Sequence, residues 1–216
     1  MIAGVGDVEG LAVVGDQARA VLDHVLGDRV DGQRVDDAVG GPDRAVLDQV
    51  AVDAVVSELA GHIGRLKPQV VVTFGGDGVY GHPDHIAISQ FATAATVQAA
   101  RTHQVDKLYY MAWSEAMQAA YLEVFSGLGS TVDGVTRRQI AWPDWMLTAT
   151  IDAREHWQTV WTAVRCHESQ ITSYEHLEAL SAAQHMALWG RQWFYRVFSR
   201  VNGGRAREDD LFAGLR

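Results

Sequence analysis

The sequence predicts an α/β fold with a mainly parallel sheet, and three observations carry that expectation. Residues 69–74 form a short, β-branched, continuously apolar run, Gln69-Val70-Val71-Val72-Thr73-Phe74, of the kind a strand needs when a parallel sheet buries both its faces. Helical patterns flank that run, so helix and strand alternate along the chain. The 216 residues are 48% hydrophobic, enough for the core of one domain.

Taken in order, Val46, Val50, Val55, Val56, Leu59, Ile63 and Leu66 recur at three- and four-residue spacing and end at Lys67-Pro68, which predicts an amphipathic helix stopped by proline. The strand follows, then the loop Gly75-Gly76-Asp77-Gly78, then a helix from Pro83 to about Arg101. Leu108, Tyr110 and Ala112 alternate within a second strand over 106–113, and Ser114 is placed to cap a helix over 115–125. Farther on, 146–152 reads as a strand, 153–167 as an amphipathic helix and 176–188 as another helix. The aromatic-dense tail 188–198 fits either a final strand or a packing flap.

Residues 1–50 differ in kind. Val, Asp, Gly, Ala and Arg make up 38 of the 50, and every Phe, Tyr and Trp of the chain lies at or after Phe74. All five favoured residues have codons that begin with G or C, so the segment reads either as the product of a wrong start or shifted frame in GC-rich DNA, or as an acidic, partly disordered leader with a weak helix around Gln17 to Leu26. The expected organisation is a low-order leader over 1–45 and one α/β domain over 46–216, with the first strand missing or degraded.

The net charge of -9 repels nucleic-acid phosphates, and no Lys/Arg cluster offsets it, so no nucleic-acid partner is expected. No apolar run is long enough to span a bilayer, and the N-terminus lacks a basic region followed by an apolar core, which makes a cytoplasmic protein the expectation. The single cysteine, Cys166, excludes a disulfide framework and multi-Cys metal sites. It reads as a small core residue rather than a nucleophile.

Chemistry concentrates after the strand over 69–74, where ligands gather at the carboxyl end of a parallel sheet. Within nine residues the loop presents Asp77, Tyr80, His82, Asp84 and His85, with glycines at 75, 76, 78 and 81 that allow close backbone approach. Pro83 suits the first helical turn and Asp84 its positive end. His85 stands three residues after His82, so both imidazoles can face the loop. A plainer alternative has His82 capping the helix and His85 solvated in its first turn.

The segment Tyr80-Gly81-His82-Pro83-Asp84-His85-Ile86-Ala87, following an apolar strand and a glycine-rich loop, resembles a signature of the LmbE/PIG-L family of zinc-dependent de-N-acetylases. Similar segments follow in the family's order: Lys107-Leu108-Tyr109-Tyr110, Arg165-Cys166-His167-Glu168-Ser169-Gln170, Leu188-Trp189-Gly190 and Asp210-Leu211-Phe212-Ala213-Gly214-Leu215, so that the resemblance covers about 51–216. It implies a three-layer, Rossmann-like α/β fold and one zinc ion that activates a water to hydrolyse the N-acetyl group of a GlcNAc-type sugar conjugate. By position, His85 corresponds to a zinc ligand, at about 2.0–2.1 Å. His82 corresponds to an imidazolium that supports the transition state or protonates the departing amine, Asp84 to a carboxylate that orients a histidine, and Tyr80 to a hydroxyl on the oxyanion. His167 and Asp77 are the expected substrate-binding residues. An N-acetyl-sugar conjugate is the expected partner, and a homo-oligomer is left open.

The family's first signature, His-Pro-Asp-Asp, has no counterpart here. Asp36-Asp37 follows Arg34-Val35, and Pro42-Asp43 follows two glycines. The expected zinc ligand set is therefore incomplete. Two functions are weighed on this basis: a metal-dependent N-deacetylase, and an inactive truncated relative that binds a sugar conjugate or an intact paralogue. A third, phosphate binding by the glycine loop, is disfavoured because no Lys/Ser follows the glycines and Asp77 would repel phosphate. His62, His103, His156, His176 and His185 read as surface, turn or core histidines.

Overall fold

The structure, a computed structural model, describes residues 11–13, 51–125, 130–166 and 172–216. The first helix, α1 (Val52–Leu66), buries Val55, Val56, Leu59, Ala60 and Ile63 along one face. It ends where Lys67 turns left-handed and its N–H reaches back to the Ile63 carbonyl. Strand β2 (Val70–Phe74) follows. A single helical turn, Gly78–Gly81, leads into α2 (Pro83–Ala99), which lays Ala87, Ile88, Phe91, Ala92, Ala95 and Ala99 against the buried face of α1. Small side chains let these two helices approach closely.

After β3 (Lys107–Met111), Ser114 caps α3 (Glu115–Val124) by accepting a hydrogen bond from the Met117 N–H, as its position predicts. A hairpin of β4 (Ser130–Val132) and β5 (Val135–Arg137) comes next, joined by Asp133 and Gly134, both at positive φ, in the two-residue turn that Asp-Gly favours. Then come β6 (Ala149–Asp152), α4 (Trp157–Arg165), α5 (Ala182–Trp189) and β7 (Arg191–Ser199). The expected 153–167 helix starts as a 3-10 turn over Arg154–His156. The expected 176–188 helix divides into a 3-10 stretch, Thr172–Ala179, and α5, whose start is set by a Ser181–Gln184 capping box.

The main sheet has the order β1-β2-β3-β7-β6, where β1 is Leu11–Val13. β1 pairs parallel with β2, from Leu11 opposite Val70 to Val13 opposite Val72. The first strand is thus present, but it is three residues long and lies at the sheet edge. The weak helix expected at 17–26 and most of the leader lie outside the described residues. Parallel pairing does not dominate the sheet. β2 and β3 are parallel, whereas β7 is antiparallel to both β3 and β6, which makes the sheet mixed. The physical reason is the C-terminal tail: it forms a nine-residue strand and inserts between β3 and β6, displacing the parallel neighbour that a continuously alternating chain would have supplied.

β2 is buried on both faces, as its continuous apolar run requires. Val71 joins the α1/α2 cluster, while Val70 and Val72 join Tyr109, Ala149, Phe194 and Phe212 on the other side. A third cluster, Val164, Leu177, Leu188 and Trp189, ties α3, α4 and α5 together. Among the described residues no helix is long and apolar enough to cross a membrane.

Candidate active site

The loop between β2 and α2 lies at the carboxyl end of β2, and its backbone is unusual. Gly78 and Gly81 take positive φ, and at Gly78 a Cβ would come within 2.8 Å of Ile86. Val79, a β-branched residue, sits at φ 67 and ψ -53, a strained combination outside the regions such side chains favour. This contortion turns Tyr80 towards the start of α2.

There the rings stack. Phe74 lies parallel to His85 at 4.1 Å, His85 stacks on His82 at 4.5 Å, and Tyr80 meets both imidazoles edge-on at 5.7 Å and 5.6 Å. The sequence expectation that both histidines face the loop together holds in this geometry. His82 is buried and caps α2: its Nδ1 accepts the Asp84 N–H at 3.1 Å. The cap keeps a lone pair on Nδ1 and leaves Nε2 to carry the proton. His85 does the reverse. Its Nδ1 lies 3.2 Å from the Gly78 carbonyl, which can only accept, so the Nδ1 proton is fixed and the Nε2 lone pair is free. Burial and, next, the neighbouring His82 push the His85 pKa down to about 4, so its imidazole is neutral at ordinary pH. A neutral ring whose other nitrogen donates to a backbone carbonyl is the state a metal-ligating histidine adopts.

Asp84 occupies the first turn of α2. Asp77 is engaged by a residue that periodicity does not single out: Trp142 donates its indole N–H to Asp77 Oδ2 at 2.9 Å. Trp142 is itself held by its backbone N–H on the Trp113 carbonyl, at 2.7 Å, and by ring contact with Tyr195. Arg137, at the end of β5, reaches the Gly81 side of the loop, its Cδ 3.3 Å from where a Cβ would stand. No sequence signal marked either residue: Arg137 ends a three-residue strand and Trp142 lies between regular elements. His167 lies outside the described residues.

For zinc, the donor set is short. His85 has the right tautomer, but among the described residues no three His, Cys, Asp or Glu side chains are grouped to hold a metal ion. The described residues therefore do not make a zinc site by themselves.

No family model matches the chain. It is similar to 1D-myo-inositol 2-acetamido-2-deoxy-alpha-D-glucopyranoside deacetylases: 30% identical over 178 residues to that of Geodermatophilus obscurus, covering 76% of this chain and 60% of the relative. The corresponding protein of a Nocardioides species is 34% identical over 185 residues, covering 75% and 61%. That of Thermobispora bispora is 28% identical over 225 residues, covering 92% and 74%. The chain thus spans about three fifths of the length of the first two. Among solved structures, the 4-carboxy-2-hydroxymuconate hydratase GalB of Pseudomonas putida KT2440 matches with a TM-score of 0.45 at 15% identity, over 88% of this chain and 73% of that one, a likeness too slight to fix either fold or function. The run of deacetylase relatives, together with the Tyr80–His85 loop set at the carboxyl end of β2, makes this chain similar to deacetylases of the LmbE/PIG-L family over about three quarters of its length.

Proposed function

We propose that this chain carries the loop and sheet of a metal-dependent hydrolase that removes the N-acetyl group from a GlcNAc-type sugar conjugate. One observation carries the reading: the Phe74–His85–His82 stack, edged by Tyr80, at the mouth of a parallel strand in a chain similar to named deacetylases. Hydrolysis of an acetamide consumes one water and yields a free amine and acetate. In this reading the Tyr80 hydroxyl donates to the carbonyl oxygen as it becomes an oxyanion, and the His82 Nε2–H donates a hydrogen bond that supports the charged transition state. Asp84 orients the histidines, and Asp77 and His167 are assigned to binding the sugar. His85 is the residue this chain offers to zinc, through Nε2. On the same reading 46–216 is the catalytic domain, and its sheet is the middle of a three-layer, Rossmann-like arrangement.

The test compares the chain as it stands with the same chain preceded by a family segment bearing His-Pro-Asp-Asp. Zinc is measured by equilibrium dialysis, and acetate release from a GlcNAc–inositol conjugate is followed in parallel. The expected result is weak zinc binding by the first and stoichiometric zinc with turnover by the second. In the active form, His85→Ala abolishes stoichiometric zinc, while His82→Ala keeps the metal and lowers turnover by roughly 10²–10⁴-fold. Equal metal loss in both variants, or full activity in either, overturns the assignment.

A further inference from the structure

A second concavity lies on the same edge of the sheet. β7 is antiparallel to both of its neighbours, so β6 runs in the same direction as β2 and β3. Its last residue, Asp152, paired with Arg191, therefore ends on the edge that carries the Tyr80–His85 loop. β2 and β6 are three strand spacings apart, roughly 14 Å. The chain then turns through Arg154–His156 into α4, and between this 152–158 turn and Met186 opens a cavity of about 510 Å³. That volume is in the range of small-molecule sites.

Its lining combines a half-buried aromatic ring with exposed polar groups. Trp157 lies parallel to His185 at 5.2 Å, and His185 is held in turn by the Trp189 indole N–H on its Nδ1 at 3.2 Å and by the ring of Trp161 at 4.8 Å. Burial lowers the His185 pKa, which keeps this support uncharged. Arg154 is clamped by Asp152, its Nε 2.9 Å and 3.0 Å from the two carboxylate oxygens. Glu155, His156 and Gln158 also line the cavity, and among the described residues their side chains make no hydrogen bond. The set offers donors and acceptors side by side, with Asp152 and Glu155 opposing the charge of Arg154. A phosphate would meet those carboxylates, and a purely apolar ligand would strand the polar rim. A ring whose hydroxyls both donate and accept, and whose C–H face can lie on an indole, suits these polar groups and Trp157.

We propose that the groove formed by Asp152, Arg154, Glu155, Trp157, Gln158 and Met186 is a subsite for a neutral hydroxylated ring, a sugar or cyclitol, with Trp157 as its stacking platform. The groove stands on its own lining; only its link to an acetamide conjugate rests on the function proposed above.

The test titrates myo-inositol and methyl α-glucopyranoside into the full chain while the tryptophan indole N–H resonances are followed by NMR. A saturable shift at Trp157 is expected. Trp157→Ala should weaken it about tenfold, Trp157→Phe should restore much of it, and His82→Ala and His85→Ala should leave it unchanged. Thermal melting of each variant checks that the fold is kept, and the Phe variant retains a stacking ring should the Ala variant unfold. No saturable shift at Trp157, or binding that survives Trp157→Ala, overturns the proposal. So does binding lost only in His85→Ala, which would place the ring in the loop and leave the deacetylase reading intact. A GlcNAc–inositol conjugate then identifies the source of the ring: weakening by both Trp157→Ala and His85→Ala makes it the outer ring of that conjugate, and dependence on Trp157 alone makes it a separate sugar. In the latter case the groove stands whether or not the deacetylase reading does.

Discussion

The 75–85 loop and the C-terminal segment around Glu208 both bring polar groups against the same sheet, and they do so in opposite ways. Glu208 is saturated. Its carboxylate accepts from Lys107 Nζ at 2.7 Å, Asn202 Nδ2 at 2.6 Å and the Tyr109 hydroxyl at 2.5 Å, and it pairs with Arg196 at 3.0 Å. Lys107 also donates to the Ala213 carbonyl at 2.6 Å. Backbone bonds between Glu208 and residues 148 and 150 lay the segment along β6. The loop, by contrast, holds Val79 in a strained conformation and, among the described residues, leaves the Nε2 of a neutral His85 unspent. Saturated polar groups in relaxed backbone hold a fold together, whereas unspent groups on strained backbone are what a reaction can use.

The largest effect expected from breaking this contrast is at the saturated end. Glu208→Ala leaves Lys107, which is fully buried, and Arg196 without a counter-charge, so unfolding should become easier by about 3–5 kcal/mol, read as a lower urea midpoint. Replacing Lys107 and Glu208 together by apolar residues should cost less than Glu208→Ala alone, which strands two cations rather than one.

The same carboxylate sets a pH dependence. Burial alone would raise its pKa, but hydrogen bonds from Lys107, Tyr109 and Asn202 outweigh it and hold Glu208 below the ordinary value of 4.5. A carboxyl more acidic in the folded state adds stability above its unfolded pKa and loses it as pH falls. Urea midpoints should therefore drop on acidification below about pH 4.5, and Glu208→Gln should flatten that part of the profile. An unchanged slope would deny the network its charge.

At the loop, Trp142→Phe removes the donor to Asp77 while keeping a ring against Tyr195. The lost charge-assisted bond should cost about 1–2 kcal/mol and speed amide exchange at Gly78 and Gly81, with the exchange of β2 unchanged. Loosening that spread to β2 would make Trp142 a core residue rather than a support of the loop.

The smallest change has the opposite sign. Val79→Gly should relieve the positive-φ strain and stabilise the fold by about 1 kcal/mol, after the entropy glycine adds to the unfolded chain. Destabilisation on this substitution would mean that Val79 packing outweighs its strain.

Several features were legible because they depend on neighbours in sequence. The apolar run 70–74, the Lys67-Pro68 stop, the Ser114 cap and the His-Pro start of α2 all rest on local sterics and local hydrogen bonds. The loop histidines were found for the same reason: three residues apart at a helix start, they can hardly avoid each other. The β4–β5 hairpin carried its own signal, Asp133-Gly134, but a three-residue strand on each side offered too little alternation to mark it.

By itself the sequence determined the helix–strand unit that carries the loop, the grouping of Tyr80, His82 and His85, and the likeness to a known family. Pairing across long separations was decided only by the tertiary structure. β7 enters antiparallel between β3 and β6, Glu208 meets Lys107 across 101 residues, and Trp142 finds Asp77 across 65, and no local pattern encodes a partner that far away. A strand reads the same whichever way its neighbour runs, and a lysine bound for the core reads as a surface charge until its carboxylate arrives. The direction of the sheet, the buried ion network and the groove beside Trp157 therefore belong to the folded chain.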